Sequence, residues 1–184
     1  VELLRIRICG FGGQGIVLAG VIVGHASVIE GKNAVQTQSY GSESRGGASK
    51  ADVIISSQPI YEVEPAEFDC LVAMSPEAYR KYLPSLAEGG ILILEKTTLP
   101  ESEIPEEAHT VSATYLAESR LGRKIMANMI MLGFTNAIVT QPSKEAMEES
   151  IARNVPKGTA PKNIEAFRLG YEQGLEATGR EKRD

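Results

Sequence analysis

Leu3-Leu4-Arg5-Ile6-Arg7-Ile8-Cys9-Gly10-Phe11-Gly12-Gly13-Gln14-Gly15 is the stretch from which the fold can be read. Leu3 to Cys9 alternates apolar with basic side chains, the period of a strand. Gly10, Gly12 and Gly15 then satisfy G-x-G-x-x-G, and Ile16 to Ile29 has helical character. A strand, a glycine turn and a helix in that order predict the opening unit of a doubly wound α/β fold.

The rest of the chain extends this unit. Asn33 to Ser39 reads as a second strand and Ala48 to Ser56 as a third. Asp69 to Met74 and Gly90 to Leu94 are continuous apolar runs, the mark of buried parallel strands. Between them Pro76 to Ala87 is expected to be helical, with Ser75 as its N-cap and proline at its first position. Thr97 to Glu107, with Pro100 and Pro105, reads as a surface loop, and Ala108 to Val111 as a last strand. Helices follow: Leu116 to Arg120, Lys124 to Val139, one opened by Ser143, and Pro161 to Thr178. The prediction is one domain with a mostly parallel, Rossmann-like sheet over residues 1–112, helices over 113–178 and a polar tail over 179–184.

Bulk composition narrows the function. At 184 residues, 42% hydrophobic and 23% charged, the chain can bury a core without disulfide or metal staples. A net charge of −5 with mixed signs lacks the basic stripe that nucleic acid requires. No apolar run reaches the roughly 18 residues of a membrane span. Arg5, Arg7 and the glycines break up any signal-peptide-like region, so a cytoplasmic location is expected. Cys9 and Cys70 are far apart and neither sits in C-x-x-C, so this chain cannot by itself hold an iron–sulfur cluster or a cysteine-based metal site. They read as buried free thiols in a reducing compartment. His25 and His109 are isolated and suggest no catalytic triad.

The glycine turn admits two readings. Glycines allow a backbone to approach an anion at a helix N-terminus, and the Gln14 amide could hydrogen-bond a ligand or a partner's backbone. Alternatively the glycines only permit a tight turn with close packing. A dinucleotide site would need an acidic residue closing the second strand. That strand ends at Ser39-Tyr40, with Glu30 before it and Glu43 inside the next loop, which disfavours a nicotinamide dehydrogenase.

The loop Gln38-Ser39-Tyr40-Gly41-Ser42-Glu43-Ser44-Arg45-Gly46-Gly47 gathers polar donors among glycines. Both it and the glycine turn are expected at the carboxyl edge of the strands, where open parallel sheets bind ligands. Arg45 there could hold a carboxylate or phosphate, or pair with Glu43 on the surface. Two helices carry surplus apolar surface. Ile16 to Ile29 is apolar nearly all round, and Lys124 to Val139 is broken only by Asn128, Thr135 and Asn136. Each is either a core helix or in part covered by other chains.

Taken together, these segments resemble the gamma subunit of 2-oxoacid:ferredoxin oxidoreductases, 2-oxoglutarate-type more than pyruvate-type. The matching residues are Gly10-Phe11-Gly12-Gly13-Gln14-Gly15, Ser39-Tyr40-Gly41-Ser42-Glu43-Ser44-Arg45-Gly46-Gly47, Lys124 to Met129 with Leu132-Gly133, and Asn163 through Ala166-Phe167 to Gly170-Tyr171-Glu172. Ser42 departs from the family, which often has proline there.

The resemblance implies an enzyme that decarboxylates a 2-oxoacid on thiamine diphosphate, passes electrons through iron–sulfur clusters to ferredoxin and delivers the acyl group to coenzyme A. Thiamine diphosphate and the clusters are expected in partner subunits, and none of these cofactors on this chain alone. It implies alpha, beta and ferredoxin-like delta subunits as partners; a homodimer is left open for the isolated chain. Gly12, Gly13, Gln14, Gly15, Tyr40, Glu43 and Arg45 are the expected site residues, at the coenzyme A region or a subunit junction. No catalytic residue or metal ligand is expected. A stand-alone nucleotide-binding oxidoreductase and a non-catalytic interaction module are the alternatives.

Overall fold

Leu4, Ile6 and Ile8 of the first strand, β1 (Leu3–Phe11), join a different apolar cluster from Cys9, so the alternation in the sequence becomes two faces of a sheet. The computed structural model describes residues 3–40 and 47–180. Beside β1 stand β2 (Asn33–Ser39), β3 (Ala48–Ser56), β4 (Phe68–Ala73), β5 (Leu86–Glu95) and β6 (His109–Val111), in the spatial order β2-β3-β1-β4-β5-β6. β1–β4, β4–β5 and β5–β6 pair in parallel. β3 runs antiparallel to both β1 and β2, so it alone points the opposite way. The connection over residues 40–47 is too short for the crossover that parallel strands need, so β2 and β3 form a hairpin.

On one face α1 (Ile16–Ile29), α4 (Ala127–Val139) and α5 (Lys144–Asn154) close a core with Ile6, Ile8, Val53, Val72 and Ile93. On the other, α2 (Pro76–Tyr82) brings Ala78, Tyr79 and Tyr82 onto Leu71, Ala73 and Leu94. Each large aliphatic side chain so buried contributes about 1.5–3 kcal/mol, which fixes the register of every inner strand. α3 (Ala113–Leu121) and α6 (Ala160–Thr178) complete the helices. No described helix is long and apolar enough to cross a membrane.

Three expectations change. The helix starting at Pro76 ends at Tyr82 instead of Ala87, because Pro84 cannot donate and sits in a 3-10 turn over Leu83–Ser85. β5 consequently starts at Leu86. Its pairing with β4 jumps from Phe68↔Leu86 to Cys70↔Ile91, an irregularity that takes up Ala87 to Gly90. Gly89 has φ +73, and a Cβ on Gly90 would come within 2.9 Å of the Ala87 carbonyl oxygen. The Lys124 to Val139 helix likewise begins as a 3-10 turn, Lys124–Met126.

The surplus apolar surface of α4 is sealed inside the chain. Ala127 to Ile138 are all buried, chiefly against α6, so companion chains are not needed to explain that helix. α1 differs: Val17, Leu18 and Val21 are only half-buried, and Val28 is 54% exposed.

Candidate functional site

The carboxyl rim of the sheet collects the glycine turn, the β2–β3 connection and the N-termini of three helices. β1 ends at Phe11 opposite Ala48, and Ser39 of β2 pairs with Lys50 of β3. The turn at residues 12–15 and the two described ends of the loop, Tyr40 and Gly47, are therefore on the same edge. Glu43 and Arg45 lie outside the described residues.

Gln14 shapes the turn from within. Its Oε1 accepts from the Phe11 N–H at 2.6 Å, and its Nε2 donates to the Met74 carbonyl at 3.1 Å. The amide thus joins the end of β1 to the residue after β4, an internal brace as well as a ligand candidate. Gly10 makes room for it, since a Cβ there would sit 2.4 Å from Gln14 Oε1. Gly15 is left-handed at φ +76, and a Cβ on it would lie 2.2 Å from Asn128 Nδ2. Packing therefore explains Gly10 and Gly15. Gly12 and Gly13 are different: both are exposed, and a Cβ on Gly12 meets nothing nearer than Ser49 Oγ at 3.8 Å.

The three helix starts at this rim are not equivalent. Ser75 Oγ caps α2 by accepting from Ala78 N–H at 3.3 Å. The buried Glu95 carboxylate, at the end of β5, accepts from Thr114 N–H at 3.2 Å in the first turn of α3 and from the Thr97 backbone N–H at 3.2 Å. α1 has no side-chain cap and no acidic residue in its first turn; its Ala19 N–H is already bonded back to Gly15. The N–H groups of its first turn face outward with the positive end of the helix dipole. Chemically this is a place for an anionic or carbonyl group.

Tyr40 is 66% exposed, its hydroxyl accepting from Gln38 Nε2 at 3.2 Å. Asn128 was not singled out as a site residue by the sequence. It is buried, its Oδ1 accepts from Met129 N–H at 2.9 Å, and its Nδ2 is turned to Gly15. A polar side chain opening an otherwise apolar helix was the available signal. Burial pushes the Cys9 and Cys70 thiols up to about 12, which keeps both protonated and inert. Among the described residues no group of three or more His, Cys, Asp or Glu side chains could hold a metal ion. A groove of about 760 Å³ between α3 and α6, lined in part by Arg120, Leu121, Ile164 and Arg168, contains none of the rim residues.

Comparison with known proteins fits this arrangement. The pyruvate ferredoxin/flavodoxin oxidoreductase family matches residues 5–173. The 2-oxoglutarate synthase subunit KorC of Methanocaldococcus jannaschii is 44% identical over 176 residues, covering 94% of each chain. KorC of Methanothermobacter marburgensis is 45% identical over 180 residues, covering 94% of this chain and 97% of that one. Among solved structures, the keto/oxoacid ferredoxin oxidoreductase gamma subunit of Geobacter sulfurreducens superposes with a TM-score of 0.84 at 39% identity, over 96% of this chain and 99% of that one. A turn braced by Gln14, an uncapped α1 and likeness along nearly the whole length agree: the chain belongs to the pyruvate ferredoxin/flavodoxin oxidoreductase family.

Proposed function

We propose that this chain is the gamma-type subunit of a 2-oxoacid:ferredoxin oxidoreductase whose oxoacid is 2-oxoglutarate. It works in the cytoplasm with alpha, beta and ferredoxin-like delta subunits. The partners carry thiamine diphosphate and the iron–sulfur clusters, coenzyme A receives the acyl group, and ferredoxin accepts the electrons. This chain contributes no nucleophile, acid or base. Its rim shapes the region that admits coenzyme A and orders the junction with the thiamine-binding subunits.

One observation carries the reading of the rim: of the helices that directly follow a rim strand, among the described residues only α1 is left uncapped, and it lies behind the open glycines Gly12 and Gly13. Its outward N–H groups suit the phosphates or the thioester carbonyl of an acyl-coenzyme A, and in the proposal Arg45, Glu43 and Tyr40 close the site from the neighbouring loop. Gln14 and Gly15 hold the turn in shape. The close packing at Gly10 and Gly15 also favours a second reading, in which the turn is a subunit junction and touches no ligand.

The assembled complex separates the two. Gly12→Ala adds a methyl whose nearest neighbour among the described residues is Ser49 Oγ at 3.8 Å, an ordinary contact, so the subunit still folds. If the turn borders coenzyme A, its KM rises while the KM for 2-oxoglutarate is unchanged. If the turn is only a junction, both constants stay put and assembly weakens instead. Oxidation of a 2-oxoacid by the isolated chain would refute the helper role altogether.

A further inference from the structure

β2 ends the sheet on one side, and its backbone groups make no hydrogen bond beyond β3 among the described residues. Such an edge is a template for another strand, and proteins ordinarily blunt it with lysine, proline, a bulge or brevity. β2 has none of these. Asn33-Ala34-Val35-Gln36-Thr37-Gln38-Ser39 carries no charge and no proline, and its register with β3 is unbroken from Asn33↔Ser56 to Ser39↔Lys50. The other edge, β6, is only 3 residues long.

Beside this edge α1 turns a valine stripe outward. Gly20 faces the sheet, where a Cβ would lie 2.8 Å from Ala51 of β3 and 3.1 Å from Gln36 of β2. At 3.6 residues per turn, Val17, Val21 and Val28 fall together roughly 60–100° round the helix from Gly20. α5 packs on the side of α1 away from the sheet, where its Ser150 hydroxyl donates to the Ile22 carbonyl at 2.8 Å and Asn154 Nδ2 lies 2.6 Å from His25 Nδ1. Along this stripe Val17 and Val21 are half-buried and Val28 is exposed.

We propose that two copies of this chain pair antiparallel through β2, about a two-fold axis at Gln36, joining their sheets and bringing the α1 valine stripes together. In this register Val35 stands opposite Thr37, Ala34 opposite Gln38, and Gln36 opposite its own symmetry mate. No like charges meet, and the β-branched pair is a favourable cross-strand neighbour. A neutral edge offers a charged foreign strand no complementary charge and offers its own copy no repulsion, which favours self-pairing. The two stripes add apolar area that a strand pair by itself lacks, towards the roughly 1,200 Å² of a stable interface.

The test reads association and not catalysis, so its outcome is independent of the oxidoreductase assignment. Sedimentation velocity on the full chain should show a dimer at high micromolar concentration. Gln36→Lys and Gln36→Glu each place like charges on the axis and should raise the dissociation constant about tenfold or more; mixing the two variants should restore a dimer. Val21→Glu should also weaken the dimer, and far-ultraviolet circular dichroism establishes that each variant is folded. Should either Gln36 variant misfold, hydrogen exchange on the unmodified chain decides. β2 amides that become protected as concentration rises support the pairing, and amides indifferent to concentration overturn it. A chain that remains monomeric, a dimer that survives both Gln36 variants, or a mixture that fails to recombine would equally overturn it.

Discussion

Gly170 of α6 lies against the backbone of Ile130 of α4: a Cβ at position 170 would sit 1.9 Å from the Ile130 carbonyl oxygen. The contact is reciprocal, since a Cβ on Gly133 would lie 1.9 Å from the Phe167 carbonyl oxygen. Neither obstruction is a flexible side chain that can move aside. Gly170→Ala must push two packed helices apart and should cost about 3 kcal/mol or more in urea unfolding, the upper end of overpacking effects. Gly12→Ala, with open space around it, should stay within about 0.5 kcal/mol of the parent. Equal midpoints for the two variants would contradict the packing described.

Arg7 and Asp52 form a second tight relationship, on the α2 face. Arg7 Nε and Nη2 donate to the two Asp52 oxygens at 2.7 and 2.8 Å, both residues are buried, and the guanidinium lies 4.0 Å from the centre of the Phe68 ring. Lys50 Nζ is also 2.6 Å from Asp52 Oδ2. Asp52→Ala leaves the Arg7 charge buried without its partner and should destabilise the fold by about 3–5 kcal/mol. The double variant Arg7→Met with Asp52→Leu should recover most of that loss, because it removes the charge as well as its partner. A double-mutant cycle in chemical unfolding measures both outcomes.

The cysteines tie stability to alkaline pH. Burial raises Cys9 and Cys70 to about 12 in the folded chain, whereas an unfolded thiol titrates near its ordinary value of about 8.5. A raised folded value means that the stabilisation is complete below the unfolded value and is lost as pH climbs towards the folded one. The melting temperature should therefore fall progressively above about pH 8.5, and Cys70→Ala should flatten that decline. In the native state neither thiol should react with an aromatic disulfide reagent; after denaturation both should.

Acid acts through carboxylates of the opposite sign. Burial acts to raise the Glu30 carboxyl, but its hydrogen bonds with Ser143 and the nearby Lys32 charge outweigh this and hold it below the ordinary range. Its Oε1 accepts from Ser143 N–H at 2.8 Å, tying the end of α1 to the start of α5. Glu148 is lowered by its hydrogen bonds from Arg168 of α6. Lowered folded values give stability that is present above about pH 4.3 and disappears as pH falls through them. Glu30→Gln should make the acid limb of the stability profile shallower by lowering stability at neutral pH, with little change in acid. An unchanged limb in thermal melts would exclude Glu30 as a contributor.

The sequence disclosed what depends on local pattern. β2 and β3 have the predicted limits because their alternation is bracketed by glycine and polar residues on both sides. The N-caps Ser75 and Ser143 work as such because capping involves only the next three residues. The early end of α2 was a local matter, set by Pro84, but the other misses are settled by distant partners. The glycines of α6 that seal α4 are invisible to a reading of α4 itself, which is why its apolar surface left both a core position and companion chains open. Arg7 and Asp52 are 45 residues apart, and nothing near either announces a buried pair. Gln14 and Met74 are 60 apart, so an amide that looked free for a ligand is also occupied as a strut. The rim itself was legible, because the carboxyl ends of parallel strands follow from the order of the elements.

That strut has a bearing on assembly. With Phe11 and Met74 both held by one side chain, the turn over residues 12–15 has its shape before anything arrives at it. The conformational freedom of those residues is surrendered during folding, so a visitor to the rim meets a preformed surface. Loosening the clip with Gln14→Ala would shift that ordering cost onto the encounter, weakening the affinity of whatever docks there.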